Sequence, residues 1–426
     1  MPARNVKTKS RLRVMAIGVG SFTQGVLNAL KQDGAEVFTY LNRDYAHFSP
    51  SLEGETFLSE MYPNPCDLIE NLHVDLVMPM SIDWSLSEWT NDFIARKLPI
   101  FSPDLTGMLI ERDRDFSREI CQQYNVPFPE SYVASNRLEA VEILKAHKKP
   151  FVIKNTLCSP TSPIHTIVCE TPEDTMSWLD RLDYAEGVFL QEYMGRREIG
   201  HIAFISNGEI VSLITNQEYK RAFNGNMGIV AGAPLGGLVE QDPDDKYNIA
   251  KELLHPLLPW FREVNFHGPI QVTGIWDVDH WSVLEYNVRI GITCGPIILK
   301  MLRNPMQTLL DVIHNRKLNI EMKEELKYGC SLTLAGYGYP YIQVHGPLLP
   351  VQIREEPDCD VWWNEVMADT QGQLHMTGHR IADIIGYGDT LEGAIQNAYS
   401  NIKKIYCVGS YYRTDIGDSL WPPGNE

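Results

Sequence analysis

The stretch VLEYNVR, residues 283–289, sets Glu285, Asn287 and Arg289 at every second position and Leu284, Tyr286 and Val288 between them. Side chains alternate across a strand, so this spacing predicts a strand whose polar trio shares one face while the apolar trio packs on the other. A carboxylate beside an amide oxygen is a hard-cation ligand pair, and an arginine just beyond it can hold an anion close to that cation. A surface strand with one polar face fits the same spacing.

Of the 426 residues, 44% are hydrophobic and 22% charged, which is ordinary globular material for two to four domains. The formal charge of -18 disfavours a nucleic-acid partner, because it would repel a phosphate backbone. No run is long and apolar enough to span a membrane. The basic opening MPARNVKTKSRLR lacks a long apolar core and a cleavage site, so it reads as an exposed tail. Eight scattered cysteines without a CxxC pair or a zinc-spaced cluster point to a reduced, cytoplasmic protein.

Upstream, LRVMAIGVGSFTQGVLNAL (residues 12–30) reads as a buried strand, a glycine turn at Gly18 and Gly20, and an amphipathic helix. Strands EVFTYL and VDLVMPM follow, so a parallel sheet covered by helices is expected. A dinucleotide fingerprint needs a third glycine where Thr23 stands and an acid ending the second strand, whereas Asp44 falls in a loop; a tight turn is the simpler reading. A proline-marked helix around RDRDFSREICQQYNVPFPES leads into short β-rich runs, among them a hairpin turned at Asn207-Gly208. The chain closes with a helix in GDTLEGAIQNAYSNIKK and a turn.

Three further groups can hold a nucleotide. Lys154 ends the strand PFVIK, Arg114 heads a helix, and the connector Gln191-Glu192-Tyr193-Met194 precedes Glu198 at the start of the next strand. A lysine or arginine at an element's end can reach a phosphate in a cleft, connector backbone can read an adenine edge, and a carboxylate beyond can accept ribose hydroxyls. Each is equally an ordinary solvated end or connector. Their order along the chain, with the Glu-x-Asn-x-Arg strand last, is the layout of an ATP-grasp fold.

The chain resembles phosphoribosylamine–glycine ligase over nearly its whole length. The family's E-F-N-x-R-F-G is matched by EYNVRIG (Glu285 to Gly291), D-H-K-R by EYKR (Glu218 to Arg221), E-E-F-L by QEYM, and R-x-D-I-G by Arg413, Asp415, Ile416 and Gly417. The family's GYP recurs as Gly338, Tyr339 and Pro340. The resemblance implies an α/β ATP-grasp fold with an N-terminal Rossmann-like (pre-ATP-grasp) domain over 1–107, an ATP-grasp domain over 108–327 with a lid at about 125–195, and a small C-terminal α+β domain over 328–426. It also implies ATP and magnesium, with manganese as an alternative, the metal ligated by Glu285 and Asn287. Lys154 and Arg114 would contact phosphates, Gln191, Glu192, Tyr193, Met194 and Glu198 the nucleoside, and Arg289 and Lys220 the reacting carboxyl. Small-molecule carboxylate and amine substrates follow, with a homodimer compatible.

Departures are grouped. The family's G-G-R-E-H-A is here GSFTQG (Gly20 to Gly25), its G-P-E-x-P-L is MSIDWSL (Met80 to Leu86), its G-P-N-T-G-G-M-G is GIVAGAPLG (Gly228 to Gly236), and its G-D-P-E is GITC (Gly291 to Cys294). The glycine-rich lid loop becomes NTLCSPTSPIH. Nucleotide and metal positions persist while substrate positions change, so the expectation is a carboxylate–amine ligase with altered substrates, touched by Gly20, Ser21, Asp83, Trp84, Arg221 and Thr293. Asp83 can pair with a cationic amine and Trp84 stack on it; alternatively Asp83 caps a helix and Trp84 packs beneath. A divergent true phosphoribosylamine–glycine ligase, a silent nucleotide-binding scaffold and an NAD-dependent dehydrogenase are the other readings.

Overall fold

A computed structural model describes residues 11–418 apart from 44, 159–165, 197, 341 and 343–347. The tail at 1–10, Asp44 and most of the changed lid loop therefore lie outside the described residues.

The first sheet is parallel, in the order Glu55–Leu58, Glu36–Leu41, Arg13–Ile17, Leu76–Pro79. Strand Arg13–Ile17 has Met15 and Ile17 in one apolar core and Val14 and Ala16 in another. Both faces are thus covered, as a parallel sheet requires. The strand Glu55–Leu58 escapes the sequence reading because four residues, ETFL, carry too little alternation to separate from a loop.

The second sheet has eight strands, all antiparallel: His280–Asn287, Gly268–Asp277, Glu198–Ser206, Glu209–Glu218, Gly236–Gln241, Tyr328–Ala335, Arg380–Gly388 and Asp360–Trp363. It runs without a break across residue 328. The hairpin turns where expected, with Asn207 and Gly208 both at positive φ, the backbone a two-residue loop needs to match strand twist.

A third, antiparallel sheet orders Ser131–Ala134, Val188–Glu192, Phe151–Asn155 and Thr166–Val168, and has its own small core around Phe151, Ile153 and Leu190. A cavity of about 310 Å³ opens between this sheet and the eight-stranded one. Among the described residues no helix is long and apolar enough to cross a membrane.

Candidate active site

The decisive stretch folds as a strand ending at Asn287, with Arg289 in the bend beyond. Tyr286 and Val288 are buried, and Glu285, Asn287 and Arg289 line the cavity. Leu284 departs from the expected alternation. Thr273 pairs with Glu285 but Gly274 with Val283, so Leu284 is the extra residue of a bulge and faces the cavity too. Its carbonyl accepts from Lys154 Nζ at 3.3 Å and Gln191 Nε2 at 3.4 Å.

Lys154 crosses from the lid sheet. Its Nζ donates to Gln191 Oε1 at 2.8 Å, and burial pulls its pKa down to about 8. Lys220 lies opposite, 3.3 Å from Glu198 Oε2, 3.4 Å from Glu285 Oε1 and 4.0 Å from Glu218 Oε2. Burial would lower its pKa, but the three carboxylates outweigh that and raise it. For Glu285, burial is outweighed by Lys220, Lys154, Arg114 and Arg289, which hold its carboxyl at about 2. Burial pushes the Glu218 carboxyl up. Glu198, Glu218, Glu285 and Asn287 bring hard oxygen donors, the kind suited to magnesium, to one cavity wall. Gln271 Oε1, also on the cavity wall, is buried without a hydrogen-bond partner in the described structure.

The connector is more committed than expected. Gln191 is taken up by Lys154 and by the Val283 and Leu284 carbonyls, and Glu192 pairs with Lys149 at 2.9 Å. The N–H groups of Glu192 and Tyr193 go to Glu130 O and Pro150 O. Among the described residues, Met194 is thus the connector residue whose N–H has no backbone partner, and it lines the cavity with the apolar Val152, Val168 and Ile275. Arg114 lines a small adjoining cavity with Glu285 and Asn287, and its Nη1 donates to Asn155 O at 2.7 Å.

The substrate candidates separate. Arg221 lines the cavity, held by Glu170 at 2.9 Å. Thr293 does not reach it: the side chain is 2% exposed, and Gly291 and Ile292 form the wall instead. Trp84 takes the packed alternative of its two readings. It is 4% exposed and packs on Phe93 at 5.8 Å, because apolar burial outweighs any gain from presenting the ring to solvent. Asp83 is not a cap; Ser81 Oγ caps that turn by accepting from Asp83 N, while Asp83 stands 3.9 Å from Arg43. Burial raises the Asp83 pKa against the pull of Arg43 and Arg289. Gly20 and Ser21 meet the C-terminal segment: Ser21 Oγ donates to Asp383 Oδ2 at 2.5 Å, and Asn364 Nδ2 donates to Ser21 Oγ at 3.1 Å.

Two residues that meet the candidate site escape the sequence reading. Glu111, which binds the strand end, has no local signal, since its partners lie 176 to 178 positions away. Glu218 stands in EYKR, so that motif could have supplied it.

An antiparallel lid facing a larger antiparallel sheet, with a lysine from one and a carboxylate–amide pair from the other, defines an ATP-grasp protein. Comparison with known proteins narrows this. Residues 112–293 match the family model "Phosphoribosylglycinamide synthetase, ATP-grasp (A) domain", and residues 329–419 match "Phosphoribosylglycinamide synthetase, C domain". The phosphoribosylamine–glycine ligase of Clostridium acetobutylicum is 26% identical over 77% of this chain and 81% of its own. That of Fusobacterium nucleatum is 24% identical over 82% and 85%. Among solved structures, the Thermotoga maritima phosphoribosylamine–glycine ligase superposes with a TM-score of 0.77 at 21% identity, covering 95% of this chain and 100% of its own. The biotin carboxylase domain of Hydrogenobacter thermophilus 2-oxoglutarate carboxylase, solved with MgADP and bicarbonate, gives 0.69 at 13% over 94% and 91%. The chain is a phosphoribosylamine–glycine ligase-like member of the ATP-grasp superfamily, a family of ligases that use ATP and magnesium.

Proposed function

We propose that this chain is an ADP-forming carboxylate–amine ligase that works through an acyl phosphate on substrates other than phosphoribosylamine and glycine. The observation that carries the substrate part is the closure of the first glycine turn by the chain itself. Gly20 has φ 94°, and a Cβ there would stand 2.8 Å from Asn364 Oδ1. The Asp383 carboxylate, paired with Arg380 at 2.6 Å, accepts from Ser21, the first residue of helix Ser21–Gln32, so the chain's own ion pair already occupies the helix end where a phosphate would sit. Asp83, with one buried oxygen unpaired in the described structure, suits a cationic amine better than a phosphate dianion.

In this reading ATP supplies the phosphoryl group, and Glu285 and Asn287 would hold magnesium, which would supply neutralisation of the charge on the transferred group. Lys154 and Arg114 hold phosphate oxygens by charge and position. Lys220 and Arg289 hold the carboxylate whose oxygen attacks the γ-phosphorus as ADP leaves, and then the acyl phosphate, from whose carbonyl carbon the amine displaces phosphate. Glu198 accepts ribose hydroxyls, and Met194 N–H reads the adenine. No protein nucleophile is needed, and Cys158, the cysteine on the cavity wall, has its pKa raised by burial, which argues against a reactive thiolate.

Screening amino acids and amines for stimulated ADP release tests the proposal. A carboxylate–amine pair other than glycine and phosphoribosylamine should give the highest rate; maximal stimulation by that pair would overturn the altered-substrate part. The reading as a true phosphoribosylamine–glycine ligase draws on Arg43, a cation near the sheet's C-terminal edge that can meet a phosphate, and on the names of the relatives. A silent scaffold has no use for a lysine, an arginine and a metal pair around one cavity. The structurally similar biotin carboxylase domain is a dimer, so a homodimer is proposed here too, with sedimentation as its check.

A further inference from the structure

One buried carboxylate behind the cavity meets both functional groups at the end of the decisive strand. Glu111 lies on the one-turn helix Leu109–Arg112 and is 4% exposed. Its Oε2 accepts from Val288 N at 2.6 Å, and its Oε1 accepts from Asn287 Nδ2 at 3.3 Å and from Arg289 Nε at 3.2 Å. Asn287 and Arg289 line the main cavity; Glu111 does not.

We propose that Glu111 is a positioning residue that sets the polarity of the Asn287 amide and the direction of Arg289. This rests on the reading of Glu285 and Asn287 as metal ligands. A primary amide offers two donor hydrogens on one side and an acceptor oxygen on the other. Nδ2 donates to an anion, so Oδ1 turns away from Glu111, and flipping the amide would set oxygen against carboxylate. Only the oxygen serves a hard cation. The same carboxylate engages Arg289 through Nε and leaves the two terminal nitrogens for the cavity side. Val288 N–H fixes the carboxylate in turn, so the strand end, its amide and its guanidinium are held as one unit. A buried charge with three donors is well compensated, whereas leaving Arg289 without its partner is costly.

The test reads nucleotide binding rather than turnover. ATP is titrated calorimetrically into the full chain with and without magnesium, in the absence of carboxylate and amine. In the wild type magnesium tightens ATP binding. In Glu111→Gln, metal-free ATP binding stays within about twofold, while the tightening by magnesium falls about tenfold or more, the usual effect of removing a group that orients a metal ligand. Adding Asn287→Asp to that variant restores the tightening, because the introduced glutamine amide donates to one carboxylate oxygen while the other faces the cation. A merely structural Glu111 would not be repaired this way. Should the single variant fail to fold, the double variant carries the test alone. Unchanged magnesium tightening in Glu111→Gln, or none in a folded double variant, overturns the proposal. Glu285→Gln is the control: if it too keeps full tightening, the metal reading fails and not the role of Glu111.

Discussion

Lys154 Nζ and Gln191 Oε1 are 2.8 Å apart, and both side chains also bond the carbonyl of the bulged Leu284. The lid lysine is thus tied to the opposite sheet. Hydrogen bonds to a charged group contribute about 1.5–3 kcal/mol, so Gln191→Leu should weaken ATP binding roughly tenfold or more. Calorimetric titration checks this, and unchanged affinity would make Gln191 a bystander.

ATP with magnesium should raise the melting temperature and NAD should not. Thr23 stands where the fingerprint needs glycine, and the first turn is covered by Asn364. At a hundredfold excess over the dissociation constant, binding stabilises by about 2.7 kcal/mol, an easily measured shift. Stabilisation by NAD alone would reassign the first domain.

Neighbouring positions on the decisive strand should fail in opposite ways. Glu285→Gln should still fold cooperatively, with some loss of melting temperature as Lys220 and its neighbouring cations lose a partner, yet form no ADP, because it removes a charge aimed at the cavity. Tyr286 is 2% exposed and donates its hydroxyl to Leu253 O at 2.8 Å, so Tyr286→Ala should cost about 3–5 kcal/mol in urea unfolding. An active Glu285→Gln variant would return this strand to an ordinary sheet role.

Acid should weaken the large sheet through His201. Its Nδ1 contacts Thr215 Oγ1 at 3.0 Å, Thr215 donates to Asp242 Oδ2 at 2.7 Å, and its Nε2 contacts Ser212 Oγ at 2.9 Å. Burial lowers its pKa, opposed by Asp245 and Asp242 and assisted by His255. The folded state therefore binds the proton less readily than the unfolded chain. This contribution is complete above the unfolded value near 6.5 and is lost as pH falls below it. Melting temperatures from pH 8 to 5 should fall less steeply in His201→Gln than in the wild type; parallel slopes would exclude His201 as the source.

The chain should not restore purine-independent growth to a cell lacking its phosphoribosylamine–glycine ligase. The Asp383–Arg380 pair and Asn364 closing the first glycine turn, and Asp83 beside Arg43, leave poor provision for a sugar phosphate. Rescue at ordinary expression would favour the unaltered activity.

Much of this protein is written in short stretches of its sequence. The alternation that buries Tyr286 and Val288, the Asn207-Gly208 turn, and Lys154 at a strand end all follow from backbone geometry within a few residues. The motif resemblance likewise picked out Lys154, Glu198, Glu285 and Asn287, which the fold gathers around one cavity. What the tertiary structure alone decided concerns partners far apart in the chain. The register shift that exposes Leu284 depends on pairing with Gly268–Asp277, the orientation of Asn287 on Glu111, and the covering of Gly20 on Asn364. Trp84 was ambiguous because a tryptophan after a strand can stack on a ligand or fill a core, and only the packing of Phe93 against it settles which. Local periodicity fixes which face a side chain takes, but register and burial are set by the long-range contacts that fold the chain, so they appear only once those contacts exist.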